Sequence, residues 1–135
     1  HFTLGGNYTF VDSTITLTPA AAQVQTSLER ALAGQSTHLF NALLEVSTDA
    51  ASVRVLYNFF GDRISDVGSL GLPDIIEDQR GALDLIVSTR VRALNIRVSA
   101  ENLTDENFDL TQGGLLQRRY ALGRSLQVSF GFSAF

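Results

Sequence analysis

His1 and His38 are the only histidines in the 135 residues, and there is no cysteine. Hydrolysis on a protein wall needs a histidine beside a serine or a pair of carboxylates. The stretch His38-Leu39-Phe40 offers neither nearby. No Gly-x-Ser-x-Gly elbow and no phosphate-cradling Walker stretch occurs. The expectation is a chain that is not an enzyme, with no catalytic residue, no cofactor and no metal site. Carboxylates gather at Asp62 and Asp66, at Asp74, Glu77 and Asp78, and at Asp105, Glu106 and Asp109. Calcium takes several oxygen ligands, but EF-hand spacing is absent and solvated acidic loops are the plainer reading. Arg54, Arg97 and Glu101 are the remaining candidates, each on the polar parity of its segment. They read as contacts to an anionic partner or as a salt-bridged, water-lined wall.

Something must position these groups, and composition narrows what it is. Hydrophobic residues make up 44% and charged residues 18%, with a net charge of −4. Mean hydropathy is +0.11. That balance excludes a disordered chain and argues against a nucleic-acid partner. All ten basic residues are arginine. Disulfides and thiolate metal sites are ruled out. No apolar run is long enough for a spanning helix. There is no methionine, so His1 is not a translation start, and the expectation is a processed product or a piece of something longer, without a signal peptide.

Period-two alternation supplies the elements. In the tail, Tyr120, Leu122, Leu126, Val128, Phe130 and Phe132 share one parity, and small or polar residues fill the other. Phe2–Val11, His38–Ser47, Val53–Phe60, Leu83–Arg90 and Leu94–Asn102 alternate in the same way. A helix would mix these sets; a strand separates them. The spacing predicts six strands. Val24, Leu28, Ala31 and Leu32 predict one short helix within Ala20–Gly34, capped by Gly34.

The connections run long, short, long, short, long: Leu17–Thr37, Thr48–Ser52, Gly61–Gly81, Val91–Ala93 and Leu103–Arg118. Such alternation is the pattern of an outer-membrane barrel, with short periplasmic turns and long extracellular loops. In a soluble lipocalin-like barrel the apolar face points inward and the water-facing side carries dense charge. Here the polar parity is mostly Ser, Thr, Asn and Gly. Phe2, Phe10, Tyr57, Phe59, Tyr120 and Phe132 lie near strand ends, as aromatic girdles do. The expected fold class is all-β: an antiparallel up-and-down transmembrane β-barrel segment of about six strands, with His1 and Phe135 both periplasmic.

Several stretches resemble the C-terminal part of TonB-dependent outer-membrane receptors. They are Leu83-Asp84-Leu85; Ala100-Glu101-Asn102-Leu103-Thr104-Asp105-Glu106-Asn107-Phe108; Arg119-Tyr120-Ala121-Leu122-Gly123-Arg124-Ser125; and the terminal Phe135. Ala33-Gly34-Gln35-Ser36, followed by a strand with Asn41, adds to the likeness. The residues carrying the motif are Asn102, Leu103, Thr104, Asp105, Tyr120, Gly123, Arg124 and Phe135. Phe135 is out of phase with Phe132, which implies a bulge near Ser133 or a departure from the ladder.

The resemblance implies one segment of a 22-strand barrel in the bacterial outer membrane, with no plug domain in this chain. It implies energised uptake of a large scarce nutrient: a metal chelate, cobalamin or a glycan. The implied partners are outer-membrane lipid, the remaining strands and plug of a larger chain, and the barrel-insertion machinery. A TonB-type energy-coupling protein would be reached through the missing N-terminal part. Arg54, Arg97 and Glu101 then line the lumen. Two other readings stay open: a small structural or adhesive barrel completed by further copies of the chain, and a soluble lipocalin-like binder. Six strands leave two open edges, so the first and last strands are expected to pair with residues outside this chain.

Overall fold

A computed structural model describes residues 1–132, the side chain of Ala22 excepted. In chain order the first six strands are β1 (Phe2–Phe10), β2 (Ile15–Thr16), β3 (Glu29–Arg30), β4 (His38–Ser47), β5 (Ala51–Phe60) and β6 (Arg63–Asp66). The next six are β7 (Ile75–Glu77), β8 (Arg80–Val91), β9 (Leu94–Glu101), β10 (Asn107–Gln112), β11 (Leu115–Ala121) and β12 (Ser125–Phe132). The architecture is all-β and antiparallel. The main sheet has the order β1-β4-β5-β8-β9-β12, and its six strands are the six that alternation predicts. β1 and β12 are its edges; they do not pair with each other, so the described residues form an open sheet and no closed barrel.

Register turns the alternation into rows. Phe2, Val46, Val53, Val87, Val98 and Val128 lie side by side across all six strands. Leu4, Leu44, Val55, Leu85, Ala100 and Leu126 form the neighbouring row. These are β-branched and aliphatic residues that pack well on a pleated surface. Aromatic rings stand at both ends of this face. Tyr8, Phe10, Phe40 and Phe59 are at one end, with His38; Phe130 and Phe132 are at the other. No side chain on the face is buried: Leu4 and Leu126 are each 72% exposed and Phe132 81%. The opposite face carries Asn7, Asn41 and Asn58 in one row and Ser47, Ser52, Ser88, Arg97 and Ser129 in another.

Both short connections lie at one end of the sheet. Thr48 closes the first, its amide bonding the Ala51 carbonyl (2.7 Å) while its hydroxyl accepts the Ala51 amide (3.1 Å). In the second, Arg92 takes a left-handed φ of 56°. The three long connections gather at the other end, and they are not irregular loops. The second and third build a four-stranded sheet, β11-β10-β7-β6. The first joins it through a Gln25–Ser69 bridge and through the Gly34 amide bonded to the Ile64 carbonyl (2.8 Å). Among the described residues the buried side chains are Ile64, Leu110 and Ser36, all in or beside this assembly.

Two expectations need correction. The helix within Ala20–Gly34 is absent: there is a single 3-10 turn, Ala21–Gln23, followed by extended chain. The backbone is claimed elsewhere. Ile15 pairs with Arg30 and Thr16 with Glu29, the Leu17 amide bonds the Leu28 carbonyl (2.9 Å), and the Thr26 amide bonds the Gly68 carbonyl (3.0 Å). An isolated helix this short is marginal, and Val24 and Leu28 find no surface to cover, remaining 58% and 54% exposed. Gly34 does adopt a positive φ of 80°, but in a turn. The tail strand is also two strands. Tyr120 belongs to β11, opposite Phe108 in the loop sheet, and not to the main sheet's aromatic end. Phe135 lies outside the described residues.

Candidate functional site

Three of the stretches quoted from the sequence, Leu83–Leu85, Ala100–Phe108 and Arg119–Ser125, meet at the loop end of β8, β9 and β12. Asn102 ends β9 with a left-handed φ of 53°, which Asn tolerates better than most residues. Its amide donates to Asp84 Oδ1 (2.9 Å). Its side chain closes a loop on itself: Oδ1 accepts the Glu106 amide (2.9 Å), while Nδ2 donates to the Glu106 carbonyl (3.1 Å) and the Gly123 carbonyl (2.8 Å). The Leu103 amide bonds the Leu83 carbonyl (2.8 Å), and the Thr104 hydroxyl bonds the Gly81 carbonyl (2.9 Å). Asp105 takes a second left-handed φ (58°) and faces Arg124 at 3.9 Å. Gly123, at φ 71°, lets the chain turn from β11 into β12, where the Ser125 hydroxyl bonds Glu101 (3.2 Å). The motif residues Asn102, Leu103, Thr104, Asp105, Gly123 and Arg124 thus form one junction, and Tyr120 lies outside it.

Arg80 anchors the loop sheet beside this junction. Its guanidinium lies between two rings, 4.7 Å from the Phe60 centroid and 3.9 Å from that of Phe108. Glu77 approaches it at 3.7 Å and pairs with Arg63 at 2.7 Å. The two rings come from β5 and β10, so one cation joins the main sheet to the loop sheet. Gly81 is small for a reason: a Cβ there would stand 2.3 Å from the Tyr57 hydroxyl, which lies over it.

On the polar face Arg54 is neutralised by its cross-strand neighbour Glu45 (2.6 Å). Arg97 makes no ion pair or hydrogen bond among the described residues. It lines a groove of about 490 Å³ at the turn end, while Glu101 sits at the loop end. The structure therefore does not bring Arg54, Arg97 and Glu101 together.

Most carboxylates of the three acidic groups are spent on the protein itself. Asp62 accepts the Gln79 amide, Asp66 the Ser65 hydroxyl, and Asp74 the Ser27 hydroxyl and Gly68 amide. Asp78 accepts the Thr111 hydroxyl. Arg119 donates to both oxygens of Asp109 and holds that carboxyl below the ordinary carboxylate range, its own pKa rising in return. No group of carboxylates and imidazoles arranged for a metal ion is present among the described residues. His38 Nδ1 meets the Tyr8 hydroxyl at 2.7 Å, and the imidazole stacks on the Tyr8 ring, so it serves packing at the strand end.

Sequence reasoning missed Arg80, Glu45 and the asparagine row. Asn7, Asn41 and Asn58 each lie on the polar alternate of their own strand and could have been paired from that; Asn41 Nδ2 donates to Asn7 Oδ1 at 2.7 Å. Nothing local marks Arg80, whose ring partners are 20 residues before it and 28 after it in the chain. No protein-family model, curated protein or solved structure matches this chain.

Proposed function

We propose that the six-stranded sheet is a segment of the wall of a TonB-dependent receptor-like barrel in the bacterial outer membrane, serving energised uptake of a large scarce nutrient. The carrying observation is the apolar face: continuous rows across six strands, with no side chain buried. Apolar surface on that scale needs a cover, at about 25 cal/mol for each Å² withdrawn from water, and lipid supplies it. Strands of 8 to 12 residues suit a tilted crossing of the hydrocarbon layer. Aromatic rings at both ends suit the two interfaces, and the polar face suits a water-lined lumen.

On this reading the remaining strands and the plug belong to a larger chain, the barrel-insertion machinery places it, and a TonB-type protein energises it. The cargo belongs to one of three classes: a metal chelate, cobalamin or a glycan. The soluble lipocalin-like reading is disfavoured by the exposed apolar rows, which such a barrel would enclose. The test is fractionation and gel mobility of the expressed parent protein. The expected result is an outer-membrane species, extractable only with detergent, whose mobility changes on heating. A monodisperse, water-soluble monomer without detergent overturns the reading.

A further inference from the structure

The turn-end groove on the polar face holds two guanidinium groups, Arg90 and Arg97, and Arg97 stands within a row of serines. In register, Ser47, Ser52, Ser88, Arg97 and Ser129 occupy five neighbouring strands, so Arg97 has a serine directly on each side. Facing residues on adjacent strands stand about 5 Å apart, within reach of a guanidinium. Arg54, on the same face, is answered across the strand by Glu45. The Arg97 row holds no carboxylate. The groove, about 490 Å³, is otherwise lined by hydroxyl and amide groups, a second guanidinium from Arg90, the single carboxylate of Asp49 in the turn, and apolar surface from Ala50, Ala51, Ile96 and Phe130. The loop end of the molecule is acidic by contrast: Asp62, Asp78, Glu106 and Asp109 share a recess with only Arg119.

We infer that this groove binds an oxyanion, a carboxylate or phosphate group, with Arg97 as the bidentate donor and the hydroxyls of Ser88 and Ser129 completing the shell. A planar guanidinium matches both oxygens of such a group, and charge-assisted bonds of this kind are about twice as strong as neutral ones. The serines are short, neutral donors that bring no competing charge. A carboxylate-bearing segment of another polypeptide and a free anionic solute offer the same chemistry. The site stands on the polar face however the sheet is closed, so it does not depend on the transport reading.

The test uses the full-length parent protein in detergent at low ionic strength, where screening is weak. Inorganic phosphate and citrate are titrated separately; the Arg97 side-chain Nε–H resonance is followed in the unsubstituted protein, and the backbone amides of Ser88 and Gly131, which line the groove, are followed in every variant. The expected result is a saturable shift for at least one anion. Arg97→Gln should lower the affinity about tenfold or more, the scale of one charge-assisted contact. Ser129→Ala should lower it several-fold. Arg92→Gln removes the same charge at the tip of the neighbouring turn and should change it less than about twofold. Saturation by either anion identifies a solute site. Saturation only by a synthetic acidic peptide, tested in parallel, identifies a polypeptide as the source. No saturable shift with any of the three, or equal losses for Arg97→Gln and Arg92→Gln, overturns the inference.

Discussion

The Asn102 amide donates to Asp84 Oδ1 at 2.9 Å, so the residue that leaves β9 is fixed by the side chain of its neighbour β8. Around that bond the chain changes from a regular sheet to the loop assembly. Asn102 supplies a conformation as well as hydrogen bonds, and these can be separated. Asn102→Ala loses both and should cost roughly 2–4 kcal/mol. Asn102→Gly keeps the left-handed φ and should cost about half as much. Denaturant unfolding in detergent measures the difference; equal losses would show that backbone strain is unimportant there.

Val98 lies in the valine row of the apolar face, and Ser99 is on the other face between Ile86 and Gln127. If the apolar face meets lipid, Val98→Arg should destabilise the protein folded in bilayers by roughly 2–4 kcal/mol, and Ser99→Arg by far less. Equal effects would mean that the faces are assigned wrongly.

Arg80→Gln removes the cation between Phe60 and Phe108 but leaves Glu77 paired with Arg63. Desolvated cation–π contacts contribute about 1–2 kcal/mol each. Amide exchange in β10 and β11 should therefore quicken by roughly one and a half to three orders of magnitude for the two contacts together, while β4 and β5 stay protected. Uniform quickening across both sheets would show that the cation does not join two separable units.

Strong acid should loosen the β10–β11 hairpin. The Asp109 carboxyl is held below its ordinary 3.8 by the Arg119 guanidinium. A depressed folded pKa gives support that is complete above the unfolded value and withdrawn as pH falls through the folded one. Exchange in this hairpin should be independent of carboxylate titration near neutrality and should rise only below pH 3.8. Asp109→Asn should abolish that acid step, which exchange measured at several pH values would reveal.

These 135 residues contain no cysteine, so an introduced one is a unique thiol among them. A cysteine at Leu115, 75% exposed at the far end of the loop sheet, should react with an impermeant thiol reagent on intact cells. One at Ala93, in a short turn, should react only after the outer membrane is opened. The reverse pattern would invert the proposed orientation.

The six main strands were legible because a pleat imposes a period of two, and a face that stays apolar preserves that period in sequence. The same regularity hid the break in the tail. Leu122, Gly123 and Arg124 leave the ladder, yet Tyr120 and Leu126 keep the same parity, so β11 and β12 read as one strand. The first long connection misled for a different reason. Four apolar residues at helical spacing carried the expectation, but Glu29, Arg30 and Thr26 bond to distant partners that no local window contains. The junction residues were found through their resemblance to a family pattern. Their roles were not, because Asp84, Asn102 and Gly123 act on one another across 18 and 21 positions.

β1 climbs from the turn end to the loop end, and β12 descends from the loop end to the turn end. Suppose a ring is completed with every neighbour antiparallel. The strand set beside β1 must begin by descending, and the set beside β12 must begin by climbing. Only an even number of added strands satisfies both, whether one polypeptide or several supply them. An odd number would leave one parallel seam, with slanted, slightly weaker hydrogen bonds. The two edges thus fix the arithmetic of closure.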